Sequence, residues 1–285
     1  MSYSIIFEHI YTTDNIIYSI INPIYNQETI VVKNVQSYIN NTEDNFELII
    51  ILDSCSDNTK QNLLNFITNY KNKNKNFIQI KILETLEPLF ETKCDNIGFK
   101  IAQGKYLLEI QADMEMTEIG YNKHLSKAFN ILPNVIAVSG RCAHNLFREG
   151  GIGKLGANIE KDISCLNVDK NTFYTFETCN RGPLLLDKEK VEKLGYLDEN
   201  NYFQDNSEHD LMLRAYLKYK YICGYIPINF NSPLKDGSTR KYIKDEKNIK
   251  KKKELEHKMG VNLGGVYLNN YKQYWINLEP NSFKI

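Results

Sequence analysis

The chain has 285 residues, of which 42% are hydrophobic and 25% charged, so it can bury a substantial core and is not a disordered segment. Lys plus Arg equals Asp plus Glu at 35 each, which excludes a global field that would draw the protein to nucleic acid or an anionic membrane. Any charged ligand must therefore meet a local site. The six cysteines, Cys55, Cys94, Cys142, Cys165, Cys179 and Cys223, are widely spaced, with no CxxC or Cys/His cluster, and are expected to be reduced and mostly buried. The start of the chain, MSYSIIFEHIYTTD, is interrupted by Glu8, His9 and Asp14, which excludes a secretory apolar region and a spanning helix of about 20 residues. No later stretch spans a membrane, so a reducing, cytoplasmic setting is expected, with peripheral membrane attachment left open.

In chain order, IIYSIIN at 16–22 is a short apolar run that Pro23 stops, as expected of a buried parallel strand ending in the loop PIYNQE. A helix is expected over 28–40, and FELIIIL at 46–52 is a second buried strand ending in DSCSDNT, where Ser56 or Asp57 can cap the next helix. Leu63, Leu64, Phe66 and Ile67 carry that helix, KNKNKN is a solvated turn, and FIQIKIL is a third strand. A helix over 96–104 closed by Gly104 precedes KYLLEIQADM, a strand that delivers Asp113 at its carboxyl end. Helix 117–130, strand 135–140, a glycine-containing loop at 150–156 and strand TFYTFE follow. Next come GPLLLD, a helix over 188–194, a helix from about 206 to 220 and the last core strand, YICGYIPI. The tail carries Lys250 to Lys253 in a Glu/Lys-rich stretch, read as a solvated helix face. Strand and helix alternation predicts an α/β fold with a mostly parallel central sheet, and ligands beyond the carboxyl ends of its strands.

Polar clusters fall at those ends: PIYNQE with Asp53 to Asp57, QADMEM with Asp113 and Glu115, and SEHDLMLR with Glu208 and Asp210. The order NPIYNQE, ELIIILDSCSDNT, NIGFKIAQGKYLLEIQADMEM, NRGPLLLDKEKVEKLGYLDE, SEHDLMLRA resembles the family 2 glycosyltransferases of GT-A fold over residues 16 to 225. The resemblance implies that Pro23, Tyr25 and Glu28 shape a nucleotide pocket and that Asp53 accepts a hydrogen bond from the base, commonly uracil. Leu52 stands where the family has the first of two aspartates. QAD takes the place of the family's DxD, which makes Asp113 the expected ligand of Mn²⁺ or Mg²⁺, with Gln111 and Ala112 beside the donor's ribose or phosphates. Glu208, at the start of its helix, takes the position of the family's general base, with Asp210 as the alternative. His209, between two acids, is expected to be an ordinary surface or paired residue. Arg181 and Gly182 of NRGP fall in the glycine-containing loop beneath the donor sugar, and Lys235 and Arg240 flank a glycine hinge that could close over the diphosphate.

The expectation is therefore a GT-A catalytic domain over 1–230, with its nucleotide half at about 16–115 and its acceptor half at about 116–230, and a C-terminal extension over 231–285. Its partners would be a nucleoside-diphosphate sugar, UDP-sugar first, and a glycan, protein or lipid acceptor. Nucleic acid is not expected, and a homo-oligomer is compatible with this reading. Two rivals share the architecture: a sugar-nucleotide pyrophosphorylase, for which PIYNQE lacks the glycine-rich phosphate loop, and a catalytically silent nucleotide- or glycan-binding module, for which Gln111 speaks.

Overall fold

The computed structural model describes residues 2–147, 153–156, 168–232, 245–259, 270–274 and 281–285. Its first half runs β1 (Tyr3–Ile10), β2 (Tyr18–Ile24), α1 (Val31–Asn41), β3 (Phe46–Leu52), α2 (Thr59–Thr68), β4 (Phe77–Thr85), α3 (Phe90–Ile101), β5 (Tyr106–Glu109) and β6 (Glu115–Met116). There follow α4 (Tyr121–Ile131), β7 (Val135–Ser139), β8 (Cys142–His144), β9 (Lys154–Gly156), β10 (Thr172–Phe176), β11 (Thr178–Cys179), β12 (Leu184–Asp187), α5 (Lys188–Leu194) and α6 (Ser207–Tyr219). β13 (Ile222–Tyr225), β14 (Phe230–Asn231), α7 (Glu246–Met259) and β15 (Ser282–Lys284) complete the described elements.

Ten strands form one sheet in the order β1-β4-β3-β2-β5-β12-β7-β13-β10-β15. The run β4-β3-β2-β5 is parallel, as the alternation of strand and helix requires. Beyond β5 the sheet is mixed, because β12 lies antiparallel to both β5 and β7. Side-chain alternation along the strands splits the core in two. Ile20, Leu48 and Ile50 pack with Val35 and Tyr38 of α1, Leu63 of α2 and Leu125 of α4, whereas Ile21, Ile49 and Ile51 pack with Phe99 of α3, Val191 of α5 and Leu211 of α6.

A carboxylate inside FELIIIL is tolerated because it is saturated. Glu47 is 0% exposed, and accepts from Ser19 Oγ at 2.6 Å, Gln79 Nε2 at 2.7 Å and the Gln103 amide at 2.5 Å. It thereby ties three adjacent strands to the turn before β5. α3 ends at Ile101 with Ala102 as its C-cap, so Gly104 does not close the helix as expected; it has to be glycine for another reason, since a Cβ there would lie 2.7 Å from the Ser19 nitrogen.

Two elements depart from the sequence expectation. β1, with Ile5 and Ile10 more than half exposed, is an edge strand antiparallel to β4, and lacks the buried face by which strands are read. α3 starts at Phe90 rather than 96 because Asp53 caps it from another element, accepting from the Leu89 amide at 2.8 Å and the Phe90 amide at 2.9 Å. Four described cysteines, Cys94, Cys142, Cys179 and Cys223, are free and buried, Cys55 is free and partly buried, and Cys165 lies outside the described residues. Among the described residues no helix is long and apolar enough to cross a membrane.

The segment after β5 owes its shape to the polar face of α1. Asn34 donates to the Ala112 carbonyl at 2.8 Å, Tyr38 Oη to the Met114 carbonyl at 2.8 Å, and Asn41 to the Met116 carbonyl at 2.7 Å. From β2, Asn22 donates to the Ile110 carbonyl at 2.7 Å. These bonds stand in for a sheet ladder until β6, where the segment pairs with β14. Tyr38→Phe, which strips the buried Met114 carbonyl of its donor, should lower stability by about 1 to 2 kcal/mol in urea unfolding, and an unchanged midpoint would show that the clamp does not depend on it.

Candidate active site

The carboxyl ends of β3, β5 and β7 and the start of β12 meet at one edge of the sheet, since Leu184 of β12 is registered with Glu109 and with Ser139. Gln111 and Asp113 lie just past β5, Arg141 just past β7, and Arg181 and Gly182 just before β12. α6 brings Glu208 to the same place in its first turn.

Asp113 is 8% exposed and accepts from Ser232 Oγ at 3.3 Å. Burial pushes its carboxyl above the usual range, and the nearby Arg141 guanidinium pulls it back. Arg141 Nη1 donates to Gln111 Oε1 at 2.5 Å, and Gln111 Nε2 donates to Glu91 Oε1 at 2.8 Å. Glu91 Oε2 lies 3.2 Å from Arg181 Nη1. Arg181, 4% exposed, also meets Asp95 at 3.0 Å and Glu208 at 3.2 Å, and donates to Ser207 Oγ. A line of polar contacts thus runs from Arg141, whose charge acts on Asp113, through Gln111, Glu91 and Arg181 to Glu208.

One guanidinium serves more acids than it can neutralise. Burial drives Asp95 up to about 8 against the pull of Arg181, and holds Glu109 well above the carboxylate range, so protons reside in this cluster at neutral pH. Glu109 Oε2 accepts from the Gly182 amide at 2.8 Å. Gly182 has φ +56°, and a Cβ would meet Gln111 Cγ at 2.8 Å, so its lack of a side chain makes room for the protein's own packing. Arg181, which the resemblance places in the loop beneath the donor sugar, is engaged by carboxylates of its own chain.

The two candidate bases have different surroundings. Both oxygens of Asp210 are engaged, one by Arg214 Nε at 2.6 Å and the other by Tyr271 Oη at 2.6 Å. Glu208 pairs with Arg181 and keeps Oε1 3.9 Å from His209 Nε2. His209 is buried rather than at the surface, edge-on to His144 with ring centroids 5.7 Å apart. Burial lowers both imidazoles to about 4, so both are neutral and weakly basic near pH 7.

On the nucleotide side, Asp53 is 6% exposed, and Thr85 Oγ1 adds a bond at 3.0 Å to the two helix-capping ones. The acid expected to meet the base therefore holds the 85–90 segment. Glu28 likewise serves the chain, with Oε2 accepting from the Asn58 amide at 3.0 Å while its amide donates to Asp57 at 3.1 Å. Pro23 is the penultimate residue of β2 and Tyr25, just past it, is buried, its hydroxyl pushed up to about 12 by burial. α7 closes over this region: Lys247 Nζ donates to Ser54 Oγ at 3.2 Å and to the Leu86 carbonyl at 3.0 Å, and Leu255 and Met259 pack on Phe90. Lys235 and Arg240 lie outside the described residues. The sequence pointed to Asp113, Gln111, Arg181 and Glu208 but not to Glu91, Asp95, Glu109 or Arg141. The only trace of these is the density of acids in FETKCD and a glutamate within an otherwise apolar strand.

The architecture is that of a GT-A glycosyltransferase. TarS residues 1–349 from S. aureus in complex with UDP-GlcNAc superimposes with a TM-score of 0.55 at 13% identity, over 90% of this chain and 70% of that one. GalNAc-T7 with UDP, GalNAc and Mn²⁺ gives 0.56 at 13% identity, over 76% of this chain and 43% of that one. The Pyrobaculum calidifontis mannosyltransferase PcManGT with GDP-Man and Mn²⁺ gives 0.55 at 14%, over 78% and 58%. No curated protein matches the chain in sequence. Residues 19–149 match the model of Glycosyl transferase family 2, in keeping with this fold and with the order of motifs along the chain.

The buried acids make stability depend on pH. Folded Asp95 keeps its proton up to about 8, whereas an unfolded aspartate releases it near 3.9, so between those values the native state binds more protons and stability falls as pH rises. Asp95→Asn should flatten that decline between pH 5 and pH 8, by at most about 1.4 kcal/mol per pH unit in urea unfolding. Equal slopes in the two proteins would mean that Asp95 is ionised throughout.

Proposed function

We propose that the protein is a metal-dependent, inverting glycosyltransferase that moves a hexosyl or hexosaminyl group from a nucleoside-diphosphate sugar to an acceptor hydroxyl. The observation that carries this is the contact line from Arg141, whose charge acts on Asp113, to Glu208, which supports a donor-side and an acceptor-side carboxylate at one sheet edge. Residues 1–230 would form the catalytic domain and 231–285 an extension packed back on it through α7 and β15. Uridine is the first choice of nucleotide, supported by the UDP-bound TarS and GalNAc-T7, while PcManGT keeps guanosine in view.

Among the described residues no group of three ligating side chains forms a metal cage. Asp113 nonetheless fits a hard divalent cation whose other ligands are phosphate oxygens and water. It is a buried carboxylate with one weak hydroxyl bond, and Gln111 has committed its oxygen to Arg141. Mn²⁺ or Mg²⁺ bound there would offset the charge that develops on the departing diphosphate. Glu208 accepts the acceptor hydroxyl's proton, with Arg181 Nε 3.2 Å from its Oε2 to hold the carboxylate in place. Asp210 is held by Arg214 and Tyr271, and the two neutral histidines are poor bases. Pro23 and Tyr25 would border the nucleotide, with Asp53 acting through the segment it pins.

Release of nucleoside diphosphate from UDP-, GDP- and dTDP-sugars, with Mn²⁺ or EDTA, tests this. Turnover of one donor should require metal and fall at least about 100-fold in Glu208→Gln, with donor binding by calorimetry retained there and weakened in Asp113→Ala. Binding that is unchanged in Asp113→Ala would remove Asp113 from the metal site. Failure to bind any nucleotide sugar would favour a silent glycan-binding module.

A further inference from the structure

Gln111 stands where the family resemblance leads one to expect an acid, and its neighbours supply a physical reason. Arg141 can only donate and the Glu91 carboxylate can only accept, so the residue between them needs an acceptor at one end and a donor at the other. A primary amide satisfies both, at 2.5 Å and 2.8 Å. A carboxylate would oppose Glu91, a cation would oppose Arg141, and an apolar side chain would leave both partially buried charges short of a partner. Because Glu91 continues to Arg181, and Arg181 to Glu208, the orientation of this amide reaches the proton acceptor through two intervening residues.

We propose that Gln111 is a positioning residue: through Glu91 and Arg181 it fixes the carboxylate of Glu208, while its carbonyl end orients Arg141 beside Asp113. This rests on the reading of Glu208 as the base. It assigns Gln111 a role in the proton-transfer step rather than contact with the donor alone.

The polarity of the amide provides the test. Gln111→Glu keeps the partner of Arg141 but sets two carboxylates against each other, and Glu91→Gln removes the acid that Arg181 holds. The double variant restores complementarity with the polarity reversed, since the new carboxylate can accept from Arg141 and from the amide at position 91, whose carbonyl then faces Arg181. Each single variant should lower kcat by about 10- to 100-fold with donor KM within about threefold of wild type. The double variant should recover to within about fivefold of wild-type kcat. A double variant as slow as the product of the two singles would overturn the proposal, and so would a loss confined to donor KM, which would make Gln111 a direct donor ligand. Absence of turnover in the wild type would overturn the glycosyl-transfer reading itself, whereas wild-type turnover without rescue overturns only the role of Gln111.

Discussion

The buried guanidinium of Arg181 is the constraint around which the catalytic edge is built. It draws together Glu91 and Asp95 from α3 and Glu208 from α6, and its own backbone leads into β12 at the centre of the sheet. Isolated charges at this depth would cost several kcal/mol each, so the helices are located as much by the need to keep acids within reach of one cation as by their apolar faces. The surplus of acids is met by retained protons rather than by more cations. This leaves the edge close to electrically balanced while still offering ionisable oxygen atoms to a substrate.

The donor side is held by neutral groups instead. Asn22, Asn34, Tyr38 and Asn41 satisfy carbonyls of the segment that carries Asp113. Amide and phenol donors fix the backbone without adding charge beside Asp113, so its carboxylate remains responsive to a cation. The two halves of the site are thus made rigid by different chemistry and are joined at Gln111.

Much of this was legible in the chain. The runs at β2, β3 and β4 are apolar enough to require burial on both faces, and helix 188–194 starts and stops at Asp187 and Gly195 as capping rules predict. The motif order located Asp113, Glu208 and the loop before β12. What was not legible depends on contacts between distant elements. Nothing local shows that Asp53 would cap a helix formed 37 residues later, that FETKCD would turn its acids inward, or that β12 would enter antiparallel and break the parallel run. β1 escaped because an exposed edge strand carries no period-two signature of burial.

The reversed entry of β12 bears on the length of chain that precedes it. The chain passes from β7 at Gly140 and enters β12 at Pro183, and these two residues are hydrogen-bonded to each other, Gly140 N to the Pro183 carbonyl at 2.9 Å. The stretch between them, which lends β10 to the far side of the same sheet, is thus an excursion with its ends already joined. Changing the length of such an excursion costs only about 0.6 kcal/mol of closure entropy per doubling. Arg141, Arg181 and Gly182 sit just inside the junction, where length changes further out do not displace them. An excursion anchored in this way can change in length while the residues at its junction keep their places.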